Sequence, residues 1–108
     1  MLIIETKNFP FGRYTTINIC GIIFTKKDIL DSTTITHEAI HSKQIFELLI
    51  IFFYLWYVIE FIIHYISNGF KWHEAYKNIC FEKEAYTNQY DLKYISNRKQ
   101  YSFLNYLK

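Results

Sequence analysis

Asp31-Ser32-Thr33-Thr34-Ile35-Thr36-His37-Glu38-Ala39-Ile40-His41 is the stretch on which the reading of this chain turns. Asp31 to Thr34 supply several candidate N-caps, and the residues after them can continue as one helix. On that helix His37 and His41 stand at i and i+4, one turn apart on the same face, so both imidazoles can reach a single tetrahedral metal ion. Glu38 is rotated about 100° from His37, too far aside to join the same ligand set easily. It is placed to act as a general base, taking a proton from a water that the metal acidifies. At this chain's His and Glu frequencies, a chance HExxH is expected about 1% of the time. His73-Glu74 also opens an HE pair, but Lys77 stands where the second histidine would be.

Upstream, residues 2–24 read as β structure. Leu2-Ile3-Ile4 is a short apolar run, Asn8-Phe9-Pro10-Phe11-Gly12 is turn material, and the stretch from Tyr14 to Phe24 is rich in β-branched residues. Gly21 interrupts it, which signals a bulge or a close backbone approach. Downstream, His37, His41, Gln44, Leu48 and Leu55 fall along one helical stripe, and the pattern turns almost wholly apolar from Leu48 to Ile59. Ser67-Asn68-Gly69 ends it. A second helical region runs from about Lys71 to Ile95, with a break near Asn78-Ile79-Cys80. A short last one covers roughly Arg98 to Leu107, with Tyr101, Phe103 and Leu104 available to dock on the core.

A catalytic zinc takes three protein ligands and leaves one position open. No third histidine follows at close spacing, since Leu48 and Ile51 occupy that region, and His64 and His73 read as packed or surface residues. The remaining candidates lie in Phe81-Glu82-Lys83-Glu84-Ala85-Tyr86. Here the chain resembles the gluzincins, HExxH zinc metallopeptidases with a glutamate as third ligand. More narrowly it looks like the CAAX-prenyl-endopeptidase and heat-shock membrane protease group, whose second motif reads ExxAD, and the whole chain is similar to small uncharacterised bacterial HExxH proteins. Glu82 and Ala85 match that motif, while Tyr86 replaces its Asp, which in the group supports the metal site; the Tyr86 hydroxyl is the substitute on offer. The resemblance implies a metal set of His37, His41 and Glu82 around Zn2+, with Glu38 catalytic. The helical wheel alone leaves the third ligand open, because Phe81, Ala85, Leu92 and Ile95 form the inward stripe and Glu82 and Glu84 flank it on opposite sides.

Residues 45–66 are long enough to span a bilayer. Glu47 and Glu60 lie inside the segment and oppose that reading. A single crossing would also put Glu82 on the far side of the membrane from the histidines, so a spanning helix and a shared site exclude each other. A buried helix, or one in membrane-interface contact, is expected instead. Length adds a constraint: a straight helix from His41 to Ile66 rises about 37 Å, and Lys71 to Glu82 returns only about 17 Å. If Glu82 is a ligand, the segment bends, with the aromatic stretch 52–57 as the expected place.

The chain has 108 residues, 51% of them hydrophobic and 20% aromatic, which excludes a disordered chain and suits one core. Its net charge of +2 is dispersed, and the pairs Lys26-Lys27 and Arg98-Lys99 read as solvated surface, so no nucleic-acid partner is expected. Cys20 and Cys80 lack metal-binding spacing and read as two buried thiols in a reducing compartment. Without a basic-then-apolar leader pattern, the cytoplasm is the default address. The expectation is one zincin-like α+β domain over residues 1–108, with a small N-terminal antiparallel sheet packed on a mainly helical body. It would act as a zinc peptidase on peptide or protein substrates. By the same resemblance Ile17–Phe24 is the candidate substrate strand. Two other classes stay open: a metal-binding or interaction protein without turnover, and a membrane-associated protein in which HExxH is incidental. Oligomeric state and the oxyanion-stabilising group, for which Tyr86 and other tyrosines compete, stay open too.

Overall fold

The structure, a computed structural model, describes residues 2–7, 16–26 and 31–107. Among them are three strands, β1 (Leu2–Glu5), β2 (Thr16–Ile19) and β3 (Ile22–Thr25). The helices are α1 (Ser32–Glu47), α2 (Ile51–Ser67), α3 (Trp72–Asn78), α4 (Cys80–Asn88) and α5 (Tyr94–Asn97), followed by a 3-10 turn at Ser102–Tyr106. The class is α+β, as expected. The turn expected at Asn8–Gly12 lies outside the described residues.

The sheet has the order β1-β3-β2, with β3 antiparallel to β2 and parallel to β1. It is mixed, which corrects the expectation of an antiparallel sheet: residues 6–21 are long enough for the crossover that a parallel pair needs. The run Ile17–Phe24 is a hairpin and not one strand. Cys20 and Gly21 form its two-residue turn with φ of 54° and 89°, the positive pair that a tight, strongly twisted hairpin favours. Gly21 also meets the expected close approach, since a Cβ there would lie 2.7 Å from the Phe46 ring. Cys20, at the turn, is exposed, contrary to expectation; Cys80 is buried, and both are free thiols.

Asn18 ties this hairpin to α1. Its Nδ2 donates to the Glu38 carbonyl at 3.0 Å and to Ser42 Oγ at 2.9 Å, while its Oδ1 accepts from the Gly21 amide at 2.9 Å. A second tie runs from the Cys20 amide to Tyr54 Oη on α2, at 2.7 Å.

Asp31 caps α1 through Oδ1, which accepts from the Thr34 amide at 2.7 Å. The bend that the length argument demands is present, but at Leu48–Ile50, ahead of 52–57, and it turns α2 by 111° from α1. The closing hydrogen bonds are Ile50 N to Ile45 O at 2.8 Å and Leu49 N to Phe46 O at 3.2 Å, a Schellman ending with leucine in the glycine position. Ile51 N then donates to Leu49 O at 2.7 Å across Ile50, a γ-turn of the rare positive-φ form, and Leu49 and Ile50 have φ of 56° and 66°. Leu49 is 73% exposed, so little packing opposes relief of its strain. Leu49→Gly should therefore stabilise the protein by about 0.5–1 kcal/mol, the left-handed penalty of about 1–2 less the entropy that glycine restores to the unfolded chain. Urea melts of the wild type, Leu49→Gly and Leu49→Ala check this; no gain in the glycine variant would mean the bend is made otherwise.

The second helical region breaks at Ile79, as expected, and again after Asn88. Leu92 therefore leaves the inward stripe and is exposed, while Phe81 and Ala85 are fully buried. Phe81 is the centre of the core: its ring lies 4.6 Å from Phe53, 5.7 Å from Trp56 and 4.9 Å from Phe103 between ring centroids. Of the C-terminal residues expected to dock, Phe103 is buried, whereas Tyr101 and Leu104 stay largely exposed. Glu60, the acid inside the apolar segment, accepts from the Cys80 amide at 2.8 Å and Trp56 Nε1 at 2.9 Å, so it caps the start of α4 from another helix.

Candidate metal centre

His37 and His41 project from α1 toward α4, where the burial of Phe81 turns Glu82 to meet them. His41 Nε2 lies 3.1 Å from His37 Nε2 and 3.1 Å from Glu82 Oε1, and His37 Nε2 lies 3.4 Å from the same oxygen. Ligand atoms bound at about 2.0–2.1 Å with tetrahedral angles stand about 3.3–3.4 Å apart, so this triangle has the edges of one face of such a coordination shell. His37, His41 and Glu82 are thus a group able to hold a metal ion.

Each of the three is oriented from behind. Gln44 is fully buried, and its Nε2 donates to the Phe81 carbonyl at 3.1 Å and to Glu84 Oε1 at 3.0 Å. Its Oε1 is left to accept from His41 Nδ1 at 2.8 Å. That places a proton on Nδ1 and turns Nε2 to the site, where its lone pair serves a cation that displaces the proton it shares with Glu82. Gln89 Oε1 does the same for His37 Nδ1 at 2.8 Å. Tyr57 Oη donates to Glu82 Oε2 at 2.8 Å, so Oε1 is the oxygen turned to the histidines.

The site favours positive charge. Burial by itself would lower the His41 pKa, but the Glu82 carboxylate outweighs it and the value is raised to about 9. Burial would likewise raise Glu82, yet the charges and hydrogen bonds of His41 and His37 hold it well below the usual carboxylate range. A cation between these atoms meets the same demand that a proton meets here.

Glu38 stands beside the triangle, nearly buried and outside the ligand set. Burial raises its pKa, partly offset by His41 and His37. Glu84, the other candidate third ligand, is away from the histidines. It is fully buried and holds Gln44 in place, accepting also from Tyr94 Oη at 2.6 Å and from Arg98 Nε at 2.5 Å and Nη2 at 3.0 Å. Arg98 reaches Glu47 as well, at 2.8 and 3.0 Å, and its side chain is only 3% exposed, which corrects its reading as solvated surface. Tyr86 supports the site through its ring, packed 4.6 Å from the His37 ring, while the orienting hydrogen bond to His37 comes from Gln89, three residues further on.

Gln89, Tyr57 and Arg98 escaped the sequence reading. Gln44 carried a signal, because it shares the stripe of His37 and His41 and is spaced three residues from His41. The triangle opens on a cleft of about 580 Å³. Thr16, Ile17 and Asn18 of β2 line it, together with the aromatic residues Tyr54, Tyr57, Phe61, Trp72 and Tyr76. In the strand order β1-β3-β2, β3 is paired on both sides, so β2 is the strand at the sheet edge beside the cleft. Comparison with family models, curated proteins and solved structures finds no match to this chain.

Proposed function

We propose that this chain is a zinc-dependent peptidase of the HExxH type with a glutamate as third ligand, as its resemblance to the gluzincins implies. The observation that carries the reading is the triangle of His37 Nε2, His41 Nε2 and Glu82 Oε1 at the foot of an open cleft, with Glu38 beside it. Two imidazoles and one carboxylate are a ligand set of catalytic zinc sites, which keep a further position open. When bound, zinc supplies Lewis acidity, acidifying water and polarising a carbonyl.

The chain's own residues supply the rest. Glu38, with its raised pKa, is suited to take a proton and pass it to the leaving amine. Tyr76 lines the cleft, and burial raises its pKa far enough to keep its hydroxyl protonated, which suits it to donate to a developing oxyanion. The edge of β2, Thr16–Ile19, is where an extended peptide would add as a further strand; it replaces the candidate Ile17–Phe24, which runs through a hairpin. The aromatic lining favours a large apolar side chain next to the cut bond.

Zinc loading tests the reading. The zinc-loaded protein should cut an unfolded protein substrate, lose that activity to a chelator and regain it with about one equivalent of zinc. A chain that binds zinc tightly and leaves a broad peptide mixture intact would overturn the peptidase reading and leave a metal-binding protein without turnover.

A further inference from the structure

Helix α2 is apolar over most of its circumference, with Glu60 and His64 on its inner side, yet the fold covers only that side of it. Phe53 and Glu60 are buried toward the core. On the outer side Ile51, Leu55, Ile59 and Ile62 are 49–74% exposed, with Val58 and Ile63 flanking them at 53% and 56%. At 3.6 residues per turn these side chains sweep about 140° of arc, and from Ile51 to Ile66 they run for about 22 Å without a polar group. An uninterrupted apolar face of this extent calls for a cover, either protein or lipid.

The surroundings indicate which. Phe70, Lys71 and Trp72, just past the Asn68-Gly69 end of α2, are all exposed, and the Trp72 ring packs 4.7 Å from Phe61 on its flank. Lys71 and Lys77, at the start and end of α3, which packs against α2, are exposed and have no carboxylate partner among the described residues; with the exposed Glu74 between them the helix keeps a net positive charge. Exposed aromatic residues beside an apolar face, with a net positive charge on the adjoining helix, complement the headgroup layer of an anionic bilayer. A protein partner would be met with a rim of hydrogen-bonding groups, and a two-helix seam with charged flanks; here the flanking Val58 and Ile63 are apolar as well. No single helix among the described residues is long and apolar enough to cross a membrane, and the 111° bend lays α2 across α1.

We propose that the outer face of α2 seats the protein on an anionic lipid surface, with the helix lying in the plane of the membrane interface. Val58 and Trp72 belong both to this exposed border and to the cleft wall, so the cleft opens next to the lipid. Segments lying at the membrane surface are then the ones presented to it. Seating on lipid does not depend on the peptidase reading.

Co-sedimentation of the whole chain with vesicles tests the proposal, using phosphatidylcholine alone and phosphatidylcholine with phosphatidylglycerol. The wild type should bind the anionic vesicles more tightly than the neutral ones. Ile59→Asp/Ile62→Asp should weaken binding to both by roughly a hundredfold or more. Lys71→Glu/Lys77→Glu should weaken binding to the anionic vesicles roughly tenfold or more and leave the neutral ones little changed. These positions are exposed, so circular dichroism and zinc uptake should match the wild type. Absence of vesicle binding by the wild type overturns the proposal. So does equal binding by Ile59→Asp/Ile62→Asp, or a stable wild-type dimer with no affinity for vesicles. The assay reads attachment and not hydrolysis, so the two readings fail separately.

Discussion

Arg98→Met is expected to destabilise the protein by about 3–5 kcal/mol, a large share of the stability of a domain this size. The guanidinium is forked between two carboxylates, Glu84 with a fully buried side chain and Glu47 with one 10% exposed. Burial disfavours its charge, but the hydrogen bonds it donates to Glu47 and Glu84 outweigh that and raise its pKa. Without it, two buried carboxylates face each other with only neutral donors: Tyr94 and Gln44 for Glu84, and the Tyr101 amide for Glu47. Arg98→Met/Glu84→Gln should recover part of the loss, since the second change removes one stranded charge. Zinc affinity should fall in Arg98→Met as well, by roughly 10–100-fold, because the chain Arg98–Glu84–Gln44–His41 fixes the imidazole that faces the metal. Denaturant melts and zinc titration of the three proteins check both effects. A cost below about 1 kcal/mol for Arg98→Met, the level of an exposed ion pair, would contradict the buried network.

On the proposed peptidase reading, Glu38→Gln should lower peptide hydrolysis by about 10²–10⁴-fold while zinc content stays at the wild-type level. The carboxamide keeps the shape of the side chain but cannot take up a proton. The ligand triangle does not include Glu38, so the metal has no reason to leave. Folding should be unharmed or slightly improved, because burial disfavours this carboxylate's charge by more than His41 and His37 favour it. Turnover and metal content of the purified variant separate the cases: retained hydrolysis would remove Glu38 from the base role, and lost metal would place it in the ligand set.

The chemistry of this chain is legible where it is local. The cap at Asp31, the i,i+4 histidines and the break at Ile79 all depend on residues within a few positions of one another. The bend between α1 and α2 was legible as a necessity of length, but its place was not: Leu48-Leu49-Ile50 holds no Gly, Pro or Asn, and strained positive φ at Leu49 and Ile50 leaves no mark in composition. The parallel pairing of β1 with β3 was hidden for a related reason, since a tight hairpin leaves one edge of β3 open and sequence does not say which strand fills it. Glu82 and Glu84 flank the same helix face, and only the packing of α4 assigns one to the triangle and the other to Arg98. Arg98 meets Glu47 across 51 positions of chain, a separation at which pair patterns cannot be read.

The most direct test of the account is elemental analysis of the purified wild type beside His41→Ala. The geometry of His37, His41 and Glu82 predicts about one zinc per wild-type chain and a loss of essentially all of it in the variant. A wild type that carries no metal and takes up none when zinc is added would contradict the metal centre, and the peptidase reading with it.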